Sequence, residues 1–321
     1  MRDHGGNIDW ARAHFGGADW IDLSTGINRV PYPLPDLPPE VWTMLPTMAA
    51  KAALMQAAQR AFATTAPGLA LPGAQGAIQM IPRLSRPGQA RVLGPTYNEH
   101  AAALRAAGWA VTEVAQLGDL AGADLAVVVN PNNPDGRIYP PQALIALSAQ
   151  VGRLVVDESF GDAQPELSVA AHADERLIVL RSFGKFYGLA GVRLGFAFAD
   201  DATIARLSEM AGPWPVNGAA IEIGRQALAD AGWQQATVTR LRAEVAAMDT
   251  LAHKAGWHLV GGCELFRTYA TPDAATAQNA LARHQIWSRI FPYSDRWIRL
   301  GLPGRPEEWA RLEQALTGQC Q

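Results

Sequence analysis

The sequence predicts an α/β protein: a mostly parallel sheet between helices, preceded by an arm and followed by a smaller α+β part. Three observations carry this. Short apolar runs alternate with helical patterns from about residue 68 to 200, the mark of a sheet covered on both faces. After residue 210 long helical patterns come first and closely spaced strands follow. The first 40 residues are instead rich in Gly, Pro, Asp and Asn, which favour turns over regular structure. The expected division is 1–40 for the arm, 41–210 for the large domain and 211–321 for the small one.

Taken in order, the arm holds His4-Gly5-Gly6-Asn7, Asp22-Leu23-Ser24-Thr25-Gly26-Ile27-Asn28 and Pro31-Tyr32-Pro33, and it reads as extended chain with turns. Trp10, Phe15, Trp20 and Ile21 are apolar anchors that would pack it on the body or on a partner subunit. Met48, Ala52, Met55, Ala58 and Phe62 have helical spacing over 47–63. The runs 69–71, 91–93, 109–114, 125–129, 154–156, 177–180 and 194–198 read as strands, with helices near 76–84, 98–107 and 141–150. Beyond them, helices are expected at 201–211, 217–230, 234–255, 273–284 and 306–316, and strands at 264–270, 286–290 and 297–301.

Composition narrows the function. With 27 basic and 30 acidic residues and no long run of either sign, the chain has no electrostatic footprint for nucleic acid or anionic membrane. No apolar stretch has membrane-spanning length, so the expected location is the cytoplasm and the expected partner a small molecule. Cys263 and Cys320 form neither a disulfide framework nor a metal site and are expected as free thiols.

Chemistry concentrates at Ser182-Phe183-Gly184-Lys185, followed by Arg193 and Gly195. The chain has three lysines, and Lys185 alone sits among Gly and small residues. A lysine in such tight surroundings can attack a carbonyl, although a surface lysine in a loop has the same local sequence. Ser182 and Arg193 offer a hydroxyl and a guanidinium that could share one phosphate. Upstream, Pro72-Gly73-Ala74-Gln75-Gly76 follows a strand and opens a helix, where N–H groups can meet an anion. Pro95-Thr96-Tyr97 puts a ring at a strand end, where it could stack on a flat cofactor or simply pack in the core. Asn130-Pro131-Asn132-Asn133-Pro134-Asp135-Gly136 follows another strand, and Asp157 ends the next.

In this order the pieces resemble the aspartate-aminotransferase-like, fold type I enzymes, and the resemblance covers about residues 68–200. It implies pyridoxal 5'-phosphate as cofactor, Lys185 as its Schiff-base lysine and Asp157 as the partner of its ring nitrogen. It also implies Asn133 at the phenolic oxygen, Tyr97 against the ring, and Ala74, Gln75, Ser182 and Arg193 around the phosphate. Two departures stand out. Phe160 lies where the family often has a tyrosine that helps hold the phenolic oxygen, and Met44-Leu45-Pro46-Thr47 lacks the tyrosine that in relatives reaches the neighbouring subunit's cofactor phosphate. Members usually form homodimers, which is expected here.

Trp297-Ile298-Arg299-Leu300-Gly301 resembles the family's strand bearing the arginine for the substrate α-carboxylate, with Arg296 and Arg305 as competitors. The opening from His4 to Pro33, Leu-Pro near residue 45 and Arg299 to Pro303 look like the threonine-phosphate decarboxylases of cobalamin biosynthesis. That branch implies decarboxylation of L-threonine O-3-phosphate to (R)-1-amino-2-propanol O-2-phosphate, with Arg299 on the carboxylate and His4, Asn28 and Arg289 on the phosphate. The lysine loop leaves open an aminotransferase of a compound such as histidinol phosphate; a non-catalytic scaffold would not need both Lys185 and Asp157.

Overall fold

The computed structural model describes residues 4–318, so Cys320 lies outside the described residues. Two compact units divide the chain: one gathers the residues up to Pro31, Pro134–Gly136 and those from Gln234 on, the other Tyr32–Asn133 and Arg137–Trp233.

The arm up to Pro31 belongs to the first unit, and its last part, from Tyr32, to the second. It is not extended throughout, because a helix spans Ile8–Phe15 before the short strand β1 (Ile21–Asp22). Flanking glycines hid that helix in the sequence, yet Ala11 is fully buried beside Ala282 and Trp287. Trp10, Phe15 and Trp20 all gather on the Trp287 ring, with centroids 5.4, 6.4 and 6.4 Å away.

The second unit holds a seven-stranded sheet. Its strands are β2 (Gly68–Leu71), β3 (Gln89–Leu93), β4 (Ala110–Val114), β5 (Leu125–Val129), β6 (Leu154–Asp157), β7 (Leu177–Ser182) and β8 (Gly195–Phe198), in the order β2-β8-β7-β6-β5-β3-β4. Only β8 runs against the others. Each residue of β5 and β6 is buried, as a sheet covered on both faces requires. Alternation then splits them between two apolar layers: Val127 and Val155 face one cluster, Val128 and Val156 the other.

Helix Gly218–Ala229 also lies in this unit, although its position after residue 210 put it with the small domain. The reason is packing. A Cβ on Gly224 would come within 2.5 Å of Leu194 and 3.0 Å of Leu54, so the bare glycine admits the helix against the large-unit core.

In the first unit, β9 (His258–Cys263), β10 (Phe266–Ala270), β12 (Arg289–Phe291) and β13 (Ser294–Gly301) form an antiparallel sheet, order β12-β13-β10-β9. The expected single strand over 286–290 is two, because β11 (Ile286–Trp287) leaves that sheet to pair in parallel with β1. Strand β9 has no counterpart among the expected elements: with Gly261 and Gly262 it has poor intrinsic propensity, and pairing with β10 creates it. Pro134–Gly136 joins this unit through backbone contact, since a Cβ on Gly261 would meet Asp135 O at 2.0 Å. Among the described residues, no helix is long and apolar enough to cross a membrane, and no group of His, Cys, Asp or Glu could hold a metal ion.

Because Trp287 is the hub of the arm's packing, Trp287→Ala is expected to cost about 3–5 kcal/mol. Urea denaturation followed by circular dichroism checks it, and a loss below about 1 kcal/mol would contradict the packing account.

Candidate active site

A cleft of about 640 Å³, open to solvent, lies at the carboxyl ends of the parallel strands. All eight residues assigned to a cofactor from sequence line it: Ala74, Gln75, Tyr97, Asn133, Asp157, Ser182, Lys185 and Arg193. Sequence reasoning did not single out Gly73, Ile78, Val129 and Ser159, which complete the lining together with Phe160.

The lysine is fixed by aromatic packing. Lys185 sits on a one-turn helix, Phe183–Phe186, between buried phenylalanines. Tyr187 stacks on Phe183 at 4.4 Å on one side and on Trp233 at 5.6 Å on the other. This clamp orients the half-buried lysine toward the cleft, where its Nζ lies 5.7 Å from the centroid of Phe160. The group facing the lysine here is thus an apolar ring without a hydroxyl.

At one end of the cleft, backbone approaches backbone. Gly73 caps the helix Ala74–Met80 at φ +72°, and a Cβ there would meet Arg193 Nη2 at 2.8 Å. Gly195, register partner of Ser182, is tighter still: its Cβ would fall 2.3 Å from Ala74 N. Two absent side chains thus bring the first N–H groups of a helix, the Ser182 hydroxyl and the Arg193 guanidinium around one small space. Arg193 is itself in the left-handed region, φ 57°, ψ 51°, with Nη1 donating to Ala190 O at 3.1 Å. A non-glycine residue held there costs about 1–3 kcal/mol, which the surrounding contacts must offset.

At the other end, Asp157 is buried as a carboxylate. Burial by itself would raise its pKa, but His100 Nε2 lies 2.8 Å from Oδ2, and Ser159 donates both its N–H and its hydroxyl to Oδ1. Together these hold the carboxyl below its ordinary value. His100 lies in the first turn of the helix Glu99–Ala106 and was not among the residues that sequence analysis named. Tyr97 in turn donates to Gln75 Oε1 at 3.2 Å and meets the His100 ring edge to face.

Glu158, next to Asp157, is not among the residues that line the cleft. Its oxygens accept from Arg181 Nη1 at 2.9 Å, Ser168 Oγ at 2.6 Å and Val169 N at 2.6 Å. Arg181 also reaches Asp162, and burial pushes both carboxyls up because one cation cannot fully offset two desolvated acids.

The residues expected to grip the substrate all belong to the other unit. Arg299 is buried, donates from Nη2 to Ser24 O at 2.6 Å and lies over Phe266. Burial, helped by the charge of Arg289, pulls it down to about 10. Arg289 is its register partner across β12 and β13. The competitors are engaged elsewhere, Arg305 with Glu307 and Glu308, and Arg296 with Thr271 O. Asn28 is buried and accepts from Val30 N and Arg240. His4 is exposed, just ahead of Gly5 and Gly6, which lie against Ser24; Gly6 N donates to Ser24 Oγ at 2.7 Å.

The model of the family "Aminotransferase class I and II" matches residues 45–316 of the chain. A threonine-phosphate decarboxylase of Pseudomonas aeruginosa is 42% identical, covering 99% of this chain and 98% of that protein. One from a Sinorhizobium species is 41% identical, covering 98% and 97%. Among solved structures, histidinol-phosphate aminotransferase from Sinorhizobium meliloti in complex with pyridoxal-5'-phosphate superposes with TM-score 0.81 at 18% identity, covering 97% of this chain and 94% of that one.

Two outcomes are expected. Gly195→Ala drives a methyl group into backbone that cannot yield and should lower stability by about 1–3 kcal/mol, read from denaturation midpoints. For Asp157, the lowered pKa means its stabilising contribution is complete above the unfolded value of about 3.9 and disappears as pH falls through the folded one. His100→Ala removes the main offset to burial, so acid destabilisation should begin at higher pH than in the parent; superimposable pH–midpoint curves would refute this.

Proposed function

The chain belongs to the class I and II aminotransferase family, and we propose that it is a pyridoxal 5'-phosphate-dependent decarboxylase of L-threonine O-3-phosphate. Its products are then (R)-1-amino-2-propanol O-2-phosphate and CO2, in cobalamin biosynthesis and in the cytoplasm. Near-full-length likeness to two threonine-phosphate decarboxylases is the observation that carries the reaction. A fold type I cleft alone supports decarboxylation and transamination equally.

The residues present fit the cofactor. The space kept open by Gly73 and Gly195, beside Ser182 and Arg193, suits a phosphate; Lys185 and the buried Asp157 carboxylate line the same cleft. Pyridoxal phosphate bound there supplies the electron sink that loss of CO2 from an α-carbon requires. Lys185 Nζ would hold it, and either that amine or a water would supply the proton that the α-carbon takes up. Asp157 would pair with the ring nitrogen and favour its protonated form, which the carboxyl's lowered pKa suits. Asn133 would serve the phenolic oxygen without help from Phe160, and Tyr97 would lie against the ring.

Arg299 would take the substrate carboxylate, with Arg289, Asn28 and His4 on the substrate phosphate. Like charges directly opposite on one sheet face cost stability. The Arg289 and Arg299 pairing supports a multiply anionic substrate, because such a ligand relieves that cost. A homodimer accords with the run of exposed large apolar residues Leu34, Trp42, Met44, Leu45 and Met48.

The deciding experiment incubates the cofactor-loaded protein with L-threonine O-3-phosphate and no keto acid. Stoichiometric CO2 and phosphoamine are expected. Keto-acid-dependent amine transfer from histidinol phosphate, without CO2, would replace the reading by an aminotransferase. Lys185→Ala should abolish both turnover and the absorbance of lysine-bound cofactor. Sedimentation should give twice the 34.4 kDa chain mass, and a fully active monomer would sink the dimer.

A further inference from the structure

We propose that Arg240 is a positioning residue for substrate recognition, acting through Asn28; the inference rests on the reading above, in which Asn28 contacts the substrate phosphate. Two donors converge on one atom of the Asn28 amide: Val30 N at 3.1 Å and Arg240 Nη2 at 2.9 Å. Only oxygen accepts from both, so this end is Oδ1, and the opposite end, Nδ2, has only N–H donors to offer. A buried amide held this way cannot flip, and donors are what a phosphate needs. A flipped amide would offer a carbonyl oxygen and repel it.

Arg240 is held in turn. One helical turn further along Ala231–Lys254, both carboxylate oxygens of Glu244 accept from its Nη1, at 2.8 and 2.7 Å. Glu244 fixes the guanidinium, and the guanidinium fixes the amide. The segment carrying Asn28 is tied to the substrate-binding strand as well. Leu23 O accepts from Gly301 N at 2.7 Å, Ser24 O accepts from Arg299 Nη2, and Arg29 pairs with Glu308 at 2.6 Å. Asn28 thus sits on a strap whose position is shared with Arg299, while the direction of its amide is set by Arg240.

The test is steady-state kinetics on the cofactor-loaded enzyme. Arg240→Met is expected to raise KM for L-threonine O-3-phosphate about tenfold, with kcat changed less than about threefold, since a charge-assisted hydrogen bond is lost from recognition rather than from chemistry. Arg240→Lys, which restores one donor, should recover part of the loss. The double variant Asn28→Ala with Arg240→Met should be no worse than Asn28→Ala alone, because the arginine acts only through the amide. If Arg240→Met does not fold, Glu244→Gln carries the test, with KM raised about threefold. An unchanged KM in whichever of these variants folds, or fully additive losses in the double variant, overturns the proposal. A wild-type enzyme that releases no CO2 from this substrate is a different failure: it removes the decarboxylase reading, and the role of Arg240 falls with it.

Discussion

The active-site cleft depends on one steric constraint: backbone must pass directly against backbone where Gly195 meets Gly73 and Ala74. With a side chain at Gly195, the helix Ala74–Met80 could not bring its first N–H groups up to the end of β7, and Ser182 and Arg193 would face no common space. The sheet makes this possible. Strands β5 and β6 are apolar on both faces, so the sheet is fixed from above and below, and the residues following each strand are delivered to one edge with little freedom. The left-handed Arg193 is affordable only because that framework is rigid.

Electrostatics at the opposite end of the cleft is the second requirement. A carboxylate removed from water tends to protonate, and a protonated Asp157 would bring no negative charge to the cleft. Ser159 and His100 offset burial from two sides, one occupying each oxygen. Nearby, Glu158 and Asp162 share Arg181, and burial raises both. Buried acids of the same region thus have opposite pKa directions because their neighbours differ, and the one in the cleft is the one kept ionised.

The cleft-lining residues were legible because they lie in short motifs at strand ends. Lys185, Asp157 and Asn133 each follow an apolar run that could be read as a strand, whereas Arg193 precedes one, and because that strand, β8, runs against the others, all four positions come to the same edge of the sheet. The part carrying Arg299 and Arg289 was less legible. Arg299 and Arg289 could be named as cations on neighbouring strands, but their direct opposition depends on the β12–β13 register, which follows from the departure of β11 after Trp287. Arg240 gave no local signal, since an arginine on a long polar helix looks like a solvated residue until the strap carrying Asn28 is seen beside it. The helix Ile8–Phe15 was hidden for a related reason: its stability comes from packing on Trp287, not from its own composition.

The sequence by itself therefore determined the α/β class, the strand ends and the groups that come to line one cleft, because periodicity and turn chemistry are local properties. Tertiary structure alone decided which polar groups share a hydrogen bond. His100 on Asp157 and Arg240 on Asn28 join residues separated by 57 and 212 positions, and only the folded chain brings such distant groups within reach.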